Sequence, residues 1–61
     1  MFVIVRDTDG AYATVPGSPH SYSQNLRKAD VFRHREDAES SCCGNERAVP
    51  LLDQLPPIYP R

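Results

Sequence analysis

The chain has 61 residues, and its seven Lys and Arg residues are balanced by eight Asp and Glu residues, which gives a formal net charge of −1 at pH 7. This balance excludes a polycation that holds nucleic acid by counterion release over its whole surface. So short a chain buries only a small apolar core, which excludes a multidomain enzyme and argues against an enclosed cofactor pocket. We therefore expect one small domain that holds no cofactor and acts by binding rather than by catalysis.

The first fifteen residues predict a β-hairpin. A β-rich run over residues 2–6 is followed by the turn sequence Asp7-Thr8-Asp9-Gly10, and residues 11–15 are predicted as the second strand. Asp-Gly between two such runs is a strong hairpin signal, because Gly tolerates the positive φ that the turn requires.

The middle of the chain is predicted to be irregular, with one short helical turn. Two prolines and a glycine over residues 16–20 indicate a loop. Ser23 is the predicted N-cap of a helical turn over residues 24–29. Val31 and Phe32 are then predicted as a brief strand or as an extended segment that fills the core.

A second helix is predicted over residues 35–43. Glu36 and Asp37 lie in its first turn, where negative charge stabilises the positive end of the helix dipole. Ala38 and Cys42 share its inward face, because residues four apart lie on the same side of a helix. Gly44 and the following asparagine end the helix.

A last strand is predicted over residues 46–52, with Pro50 at a sheet edge or at the end of the strand. From Asp53 onward the composition changes, and residues 54–61 contain three prolines. Such a segment cannot continue a helix or the interior of a sheet. Two interpretations stay open: a polyproline-II tail, or an arm that lies over a neighbour.

The same tail contains Pro56-Pro57-Ile58-Tyr59, which fits the pattern that WW domains bind. In the preferred interpretation, Leu55, Ile58 and Tyr59 instead form an apolar clasp on the sheet edge or on a partner subunit.

These elements predict an α+β fold with a small, mostly antiparallel sheet of three to four strands and one main helix packed on it. The order is β-β-(short α)-β-α-β, with a single domain over residues 1–52 and a Pro-rich tail over residues 53–61. The exposed edges of so small a sheet favour pairing with a second copy, so a homodimer is one expectation.

The expected location is the cytoplasm. No apolar run approaches the roughly 20 residues that span a bilayer, so no membrane partner is predicted. Residues 1–5 form too short an apolar run for a signal-peptide core. Cys42 and Cys43 are adjacent, which does not make a disulfide framework and suits a reducing compartment.

Four residues of the types that bind zinc occur in the chain: His20, His34, Cys42 and Cys43. Their spacing does not fit the closely spaced ligand pairs of structural zinc sites, so no metal is predicted. A cysteine nucleophile needs a positioned base and a third group that orients it. Histidine and acidic residues occur in the chain, but no motif around either cysteine places them as the base and the orienting group. No catalytic residue and no enzyme activity are therefore predicted.

A basic cluster is the main candidate site. Four of the seven Lys and Arg residues, together with His34, fall within nine residues. Arg and Tyr are common binding hot spots, so the predicted partner-binding residues are Tyr22, Arg27, Lys28, Arg33, Arg35 and Tyr59. Acidic residues (Asp30, Glu36 and Asp37) interleave with the cluster and weaken its field. An i,i+4 ion pair between Arg35 and Glu39 is a further alternative, in which the cluster is ordinary solvated surface.

A recognisable pattern surrounds the second helix. It consists of Leu26-x-x-Ala29-x-x-Phe32-x-x-Arg35-Glu36-x-Ala38-Glu39, followed by Asn45-Glu46-Arg47-x-Val49-Pro50-Leu51. With the N-terminal hairpin, this pattern resembles small phage or prophage accessory proteins over residues 2–51, apart from the loop at 16–20. His34 departs from the pattern, in which a Ser or Thr cap is common. The resemblance implies stoichiometric binding to a host protein or ribonucleoprotein in the bacterial cytoplasm, with inhibition of a bacterial defence system as its effect.

Two alternative functions remain at this point. The first is a small nucleic-acid-binding protein that uses the cluster between Arg27 and Arg35, with an affinity that falls steeply with salt. The second is a self-associating structural or assembly component, which needs no heterologous partner.

Overall fold

The computed structural model describes residues 1–55 and shows an α+β fold. One four-stranded antiparallel sheet has the strand order β3-β2-β1-β4. In chain order the elements are β1 (Phe2–Arg6), β2 (Tyr12–Ala13), β3 (Tyr22–Ser23), the 3-10 helix η1 (Leu26–Lys28), α1 (Arg35–Ser41), β4 (Glu46–Pro50) and the 3-10 helix η2 (Leu51–Gln54). No helix within residues 1–55 has the length and apolar composition needed to cross a bilayer.

The N-terminal hairpin is confirmed. Val5 pairs with Tyr12 across β1 and β2, and Gly10 closes the turn with a φ of +73°. Asp9 holds the turn from inside, because its carboxylate accepts the N–H of Ala11 at 3.1 Å. β2 is shorter than the predicted strand over residues 11–15, because the chain leaves β1 at Ala13, whose carbonyl accepts the N–H of Asp30 at 2.9 Å.

The extended segment at Val31 and Phe32 is also confirmed. Phe2 and Phe32 exchange two backbone hydrogen bonds of 2.7 and 2.8 Å, which seat this segment against the start of β1. Phe32 is half-buried, whereas Val31 remains 46% exposed. The segment therefore fills the place beside β1 that β2 has left.

The predicted helix over residues 24–29 is wrong in extent and in its cap. Tyr22 and Ser23 form β3 instead, and only the single 3-10 turn η1 follows. Asn25 is the N-cap, since its Oδ1 accepts the N–H of Arg27 at 3.0 Å, while the Ser23 hydroxyl accepts the N–H of Asn25. So short a segment cannot offset the cost of nucleating an α-helix, whereas residues in β3 gain a ladder with β2.

The later elements end earlier than the sequence predicts. α1 stops at Ser41 rather than at Cys43, because the N–H of Cys42 bonds the Glu39 carbonyl as a C-cap. His34 is the N-cap, but its side chain accepts no hydrogen bond from the N–H groups of the first turn. β4 ends at Pro50, as predicted for that proline, and the chain then turns into η2 instead of continuing as a strand.

Both faces of the sheet are covered, which explains why three consecutive residues of β1, from Val3 to Val5, are buried. Successive side chains alternate between the faces. α1 contacts β1 and β4 on the face that carries Phe2, with Ala38 fully buried beneath it. On the other face, the hydroxyl of Tyr12 donates to Gln54 of η2 at 3.0 Å.

η2 spans the predicted boundary between residues 52 and 53, and Leu55 after it is half-buried. The Pro-Pro-x-Tyr pattern, Tyr59 and the rest of the clasp lie outside the described residues.

Candidate partner-binding cleft

A cleft of about 350 Å³ lies beside β3, between the β2–β3 loop and η1. Its surface is mainly apolar, with contributions from Val15, Pro19 and Ala29, while Arg27 and Lys28 bring positive charge to it. Polar residues complete the lining: Thr14, Ser18, His20, Tyr22 and Ser23. We call residues 14–29, which contain this cleft, the cleft face. An open, mainly apolar cleft with a few charged groups is the usual form of a small binding site.

The β2–β3 loop forms one wall because its own hydrogen bonds fold it back. Gly17 adopts a φ of +89°, and the N–H of Ser18 bonds the Val15 carbonyl at 3.2 Å. The Thr14 hydroxyl donates to the carbonyl of His20, which ties the two ends of the loop together. The loop therefore holds its apolar wall in place without help from the main core.

η1 forms the opposite wall. Ala29 is buried and forms an isolated bridge with Thr14, which fixes the end of η1 against β2. The exposed side chains of Arg27 and Lys28 precede this anchor directly. A buried small residue thus anchors two exposed cations at the edge of the cleft.

The charges of the cleft face are not used in ion pairs within residues 1–55. The ion pairs there join Arg6 to Asp9, with contacts of 2.7 and 3.0 Å, and Arg47 to Asp7. Neither pair includes Arg27 or Lys28. These two cations are therefore available to a binding partner as far as the described residues are concerned.

The predicted basic cluster is divided by the fold. Arg35 lies at the start of α1, with its guanidinium 4.8 Å from the centre of the Phe2 ring, a cation–π contact. The alternative pairing with Glu39 is wrong, because Arg35 is in neither of the ion pairs described above. Arg33 is exposed and does not line the cleft. Only Arg27 and Lys28 of the four predicted cations meet at the cleft.

The acidic residues are divided in the same way. Glu36, Asp37 and Glu39 are all exposed on α1, whose main contacts with the sheet are to β1 and β4. Asp30 is half-buried just after η1 and is the acidic residue nearest to Lys28 in sequence. Most of the acidic residues that interleave with the basic cluster in the sequence therefore lie on α1 and not on the cleft face.

Tyr22, which the sequence predicts as an aromatic partner contact, lines the cleft, but its hydroxyl is already engaged. It donates to the carboxylate of Glu46 across the sheet, and the guanidinium of Arg6 lies 3.9 Å from the centre of the ring. The hydrogen bond to Glu46, followed by burial, raises the pKa of Tyr22. The same hydrogen bond lowers the pKa of Glu46, which also accepts the N–H of Cys43. Tyr22 therefore joins the cleft face to β4.

The cysteines lie away from the cleft, at the end of α1. The thiol of Cys42 contacts the Ala38 carbonyl at 3.4 Å, and burial raises the pKa of this thiol. Cys43 is exposed, and both cysteines are free thiols. Within residues 1–55, no group of three His, Cys, Asp or Glu side chains is arranged to hold a metal ion.

Sequence reasoning missed the apolar half of the cleft. Val15 and Pro19 contribute to this half, yet residues 16–20 signal only a loop. Sequence alone has no signal for this wall, because it depends on the loop folding back against η1.

Comparison with protein-family models, with curated proteins and with solved structures finds no significant match.

Proposed function

We propose that the protein acts by stoichiometric binding of a partner macromolecule through the cleft face. The observation that carries this proposal is the position of Arg27 and Lys28, two exposed cations outside the ion pairs of residues 1–55, at an apolar cleft. Apolar contact supplies affinity and the cations supply orientation and specificity, which is how interfaces commonly divide these roles.

In its narrower form, the proposal takes the partner to be a host protein or ribonucleoprotein in the bacterial cytoplasm. Binding then interferes with that partner, for example in a defence system. The support for this form is the resemblance of the segment between Leu26 and Glu39 to small phage accessory proteins.

The test is an affinity pull-down of the tagged full chain from bacterial lysate, with and without nuclease, analysed by mass spectrometry. We expect one protein partner in stoichiometric amount after nuclease treatment. Arg27→Ala/Lys28→Ala should lose this partner. Arg33→Ala/Arg47→Ala is the control, because it removes the same charge from exposed positions outside the cleft. It also breaks the exposed Arg47–Asp7 ion pair, which lies away from the cleft, and should retain the partner.

The other outcomes contradict the proposal in different ways. Capture that disappears with nuclease indicates a nucleic-acid-binding protein. Self-capture of the chain alone indicates an assembly component. Equal capture by the two double variants shows that the partner binds elsewhere on the protein.

A further inference from the structure

Tyr22 and Ser23, which line the cleft, form β3, an edge strand of the sheet within residues 1–55. The N–H of Thr14 donates to the carbonyl of Ser21 at 3.0 Å. Hydrogen-bonded and non-hydrogen-bonded pairs alternate in antiparallel strands, so the next pair, Ala13 with Tyr22, is not hydrogen-bonded. The main-chain groups of Tyr22 therefore point away from β2, towards an edge that no other strand of residues 1–55 covers.

The other strand confirms this geometry. The carbonyl of Ala13 accepts the N–H of Asp30 at 2.9 Å, on the side of β2 that faces away from β3. Ala13 and Tyr22 thus direct their main-chain groups in opposite directions. The N–H and C=O of Tyr22 form a place where an extended segment of another chain can add to the sheet.

The two cations of the cleft face are arranged for two separate anionic groups. A 3-10 helix has three residues per turn, so consecutive side chains point roughly 120° apart. Arg27 and Lys28 are consecutive in η1 and so diverge, which suits carboxylates on different residues of a ligand better than one phosphate group.

The remaining wall suits an apolar side chain. Val15 is 48% exposed and lines the cleft with Pro19 and Ala29. A peptide that carries an apolar residue between acidic residues therefore matches the walls and the charges together.

We propose that the partner contributes an extended acidic peptide segment, which pairs its main chain with Tyr22 at the β3 edge. One apolar side chain enters the cleft, and carboxylates on either side of it contact Arg27 and Lys28. This inference rests on the proposed function and names the chemistry of the partner.

The test is a titration of the isotope-labelled full chain with a short synthetic peptide, followed by amide NMR shifts. The peptide has a central valine flanked by glutamates, because β-branched residues favour extended backbone. We expect the largest shifts at Tyr22, Arg27 and Lys28. Arg27→Ala/Lys28→Ala should bind the peptide roughly tenfold or more weakly, since hydrogen bonds to charged groups are among the strongest, while Arg33→Ala/Arg47→Ala should bind as the wild type does.

Two altered peptides separate the contributions. Replacing the glutamates by glutamines should weaken binding as strongly as the Arg27→Ala/Lys28→Ala change does. Methylating the amide nitrogen of the central valine should weaken binding without changing the charge, because this peptide can no longer donate to the Tyr22 carbonyl.

The inference is overturned if the peptide causes no shifts at millimolar concentration, if the shifts map to α1, or if the glutamine peptide binds equally well. A short RNA oligonucleotide that shifts the same amides where the peptide does not also overturns it. If the peptide fails while Arg27→Ala/Lys28→Ala still loses the captured partner, only this inference fails. If the peptide binds but capture survives in that variant, the proposed function fails instead.

Discussion

Two halves of the molecule use their residues differently: the half formed by β1, β4 and α1, and the cleft face. In the first half, the core residues Val3 and Ala38 are fully buried, and Arg47 and Asp7 form an ion pair. On the cleft face, Arg27 and Lys28 are exposed and form no ion pair within residues 1–55, and apolar Val15 remains 48% exposed. The first half therefore contributes most of the stability of the fold, and the groups that suit a partner are on the cleft face.

This difference shows that closeness in sequence does not predict which charged side chains lie together on the surface. Arg27 and Arg35 are close in sequence, yet one lies at the cleft and the other covers the Phe2 ring on the α1 side. The extended segment that ends at Phe32 separates them, because it pairs with the start of β1.

The largest difference in stability between the two halves should appear when the same substitution is made in the core and on the cleft face. Val3→Ala removes two methyl groups from a fully buried position and should lower the free energy of unfolding by about 2 kcal/mol. Val15→Ala makes the same change on the cleft face and should cost less than about 0.5 kcal/mol. Urea denaturation followed by circular dichroism measures both, and equal losses would contradict the comparison.

The next largest difference is expected between the turns that precede β2 and β4, in how much a Gly→Ala substitution destabilises the protein. Gly10→Ala places a Cβ at a φ of +73°, which should destabilise the hairpin by about 1 kcal/mol. Gly44→Ala is the control, since this glycine has no positive φ and a Cβ there meets nothing within 4 Å. Thermal unfolding of both variants tests this, and an equally destabilised Gly44 variant would refute it.

The Arg6–Asp9 pair should make the stability of the hairpin depend on acid pH. The hydrogen bond from Arg6 lowers the pKa of Asp9 from 3.8 to about 2, with a smaller contribution from the Ala11 N–H. Because the folded-state pKa is the lower one, this stabilisation is present above the unfolded value and is lost as pH falls from about 4 to 2. Urea midpoints over this range should fall less steeply for Asp9→Asn than for the wild type.

Arg6→Gln should reproduce most of that flattening, because it removes the larger of the two hydrogen bonds to Asp9. Wild-type and Asp9→Asn proteins with the same pH dependence would show that the pair contributes nothing to folding.

The link between the cleft face and β4 should give a smaller effect. Tyr22→Phe removes the hydroxyl that donates to Glu46 but keeps a ring for Arg6 to contact. Since that hydrogen bond is the main cause of the lowered pKa of Glu46, the variant should raise this pKa towards its ordinary value of 4.5. NMR titration of the Glu46 carboxyl carbon measures the change, and an unaltered titration would show that the two groups do not interact in solution.

The smallest effect on folding is expected at the cleft itself. Arg27→Ala/Lys28→Ala should leave the urea midpoint unchanged within error, because both side chains are exposed and form no ion pair within residues 1–55. A clear loss of stability would mean that these residues hold η1 in place, and the loss of a partner in this variant would then have a structural cause.

Much of the fold could be predicted from local signals. The Asp9-Gly10 turn, the placement of Pro50 and the burial of Ala38 each follow from chemistry that a few neighbouring residues specify. The boundaries near Ser23 and Leu51 could not be predicted, because they depend on which strand or turn offers hydrogen bonds there in the folded chain.

The candidate site could be predicted only in part. The sequence predicts Tyr22, Arg27 and Lys28 among six partner-binding residues, and the structure brings these three to one cleft. The sequence does not predict that Arg35 lies apart from them, over the Phe2 ring. Contacts with distant residues, such as Phe2, decide which basic side chains meet, and no local pattern contains that information.

Amide hydrogen exchange of the full chain, with and without the partner recovered by pull-down, tests the central claim most directly. We expect the partner to slow exchange at residues 14–29, most of all at Tyr22, and to leave exchange in α1 and β4 unchanged. Protection confined to α1 and β4, with the cleft face exchanging as in the free protein, would contradict it.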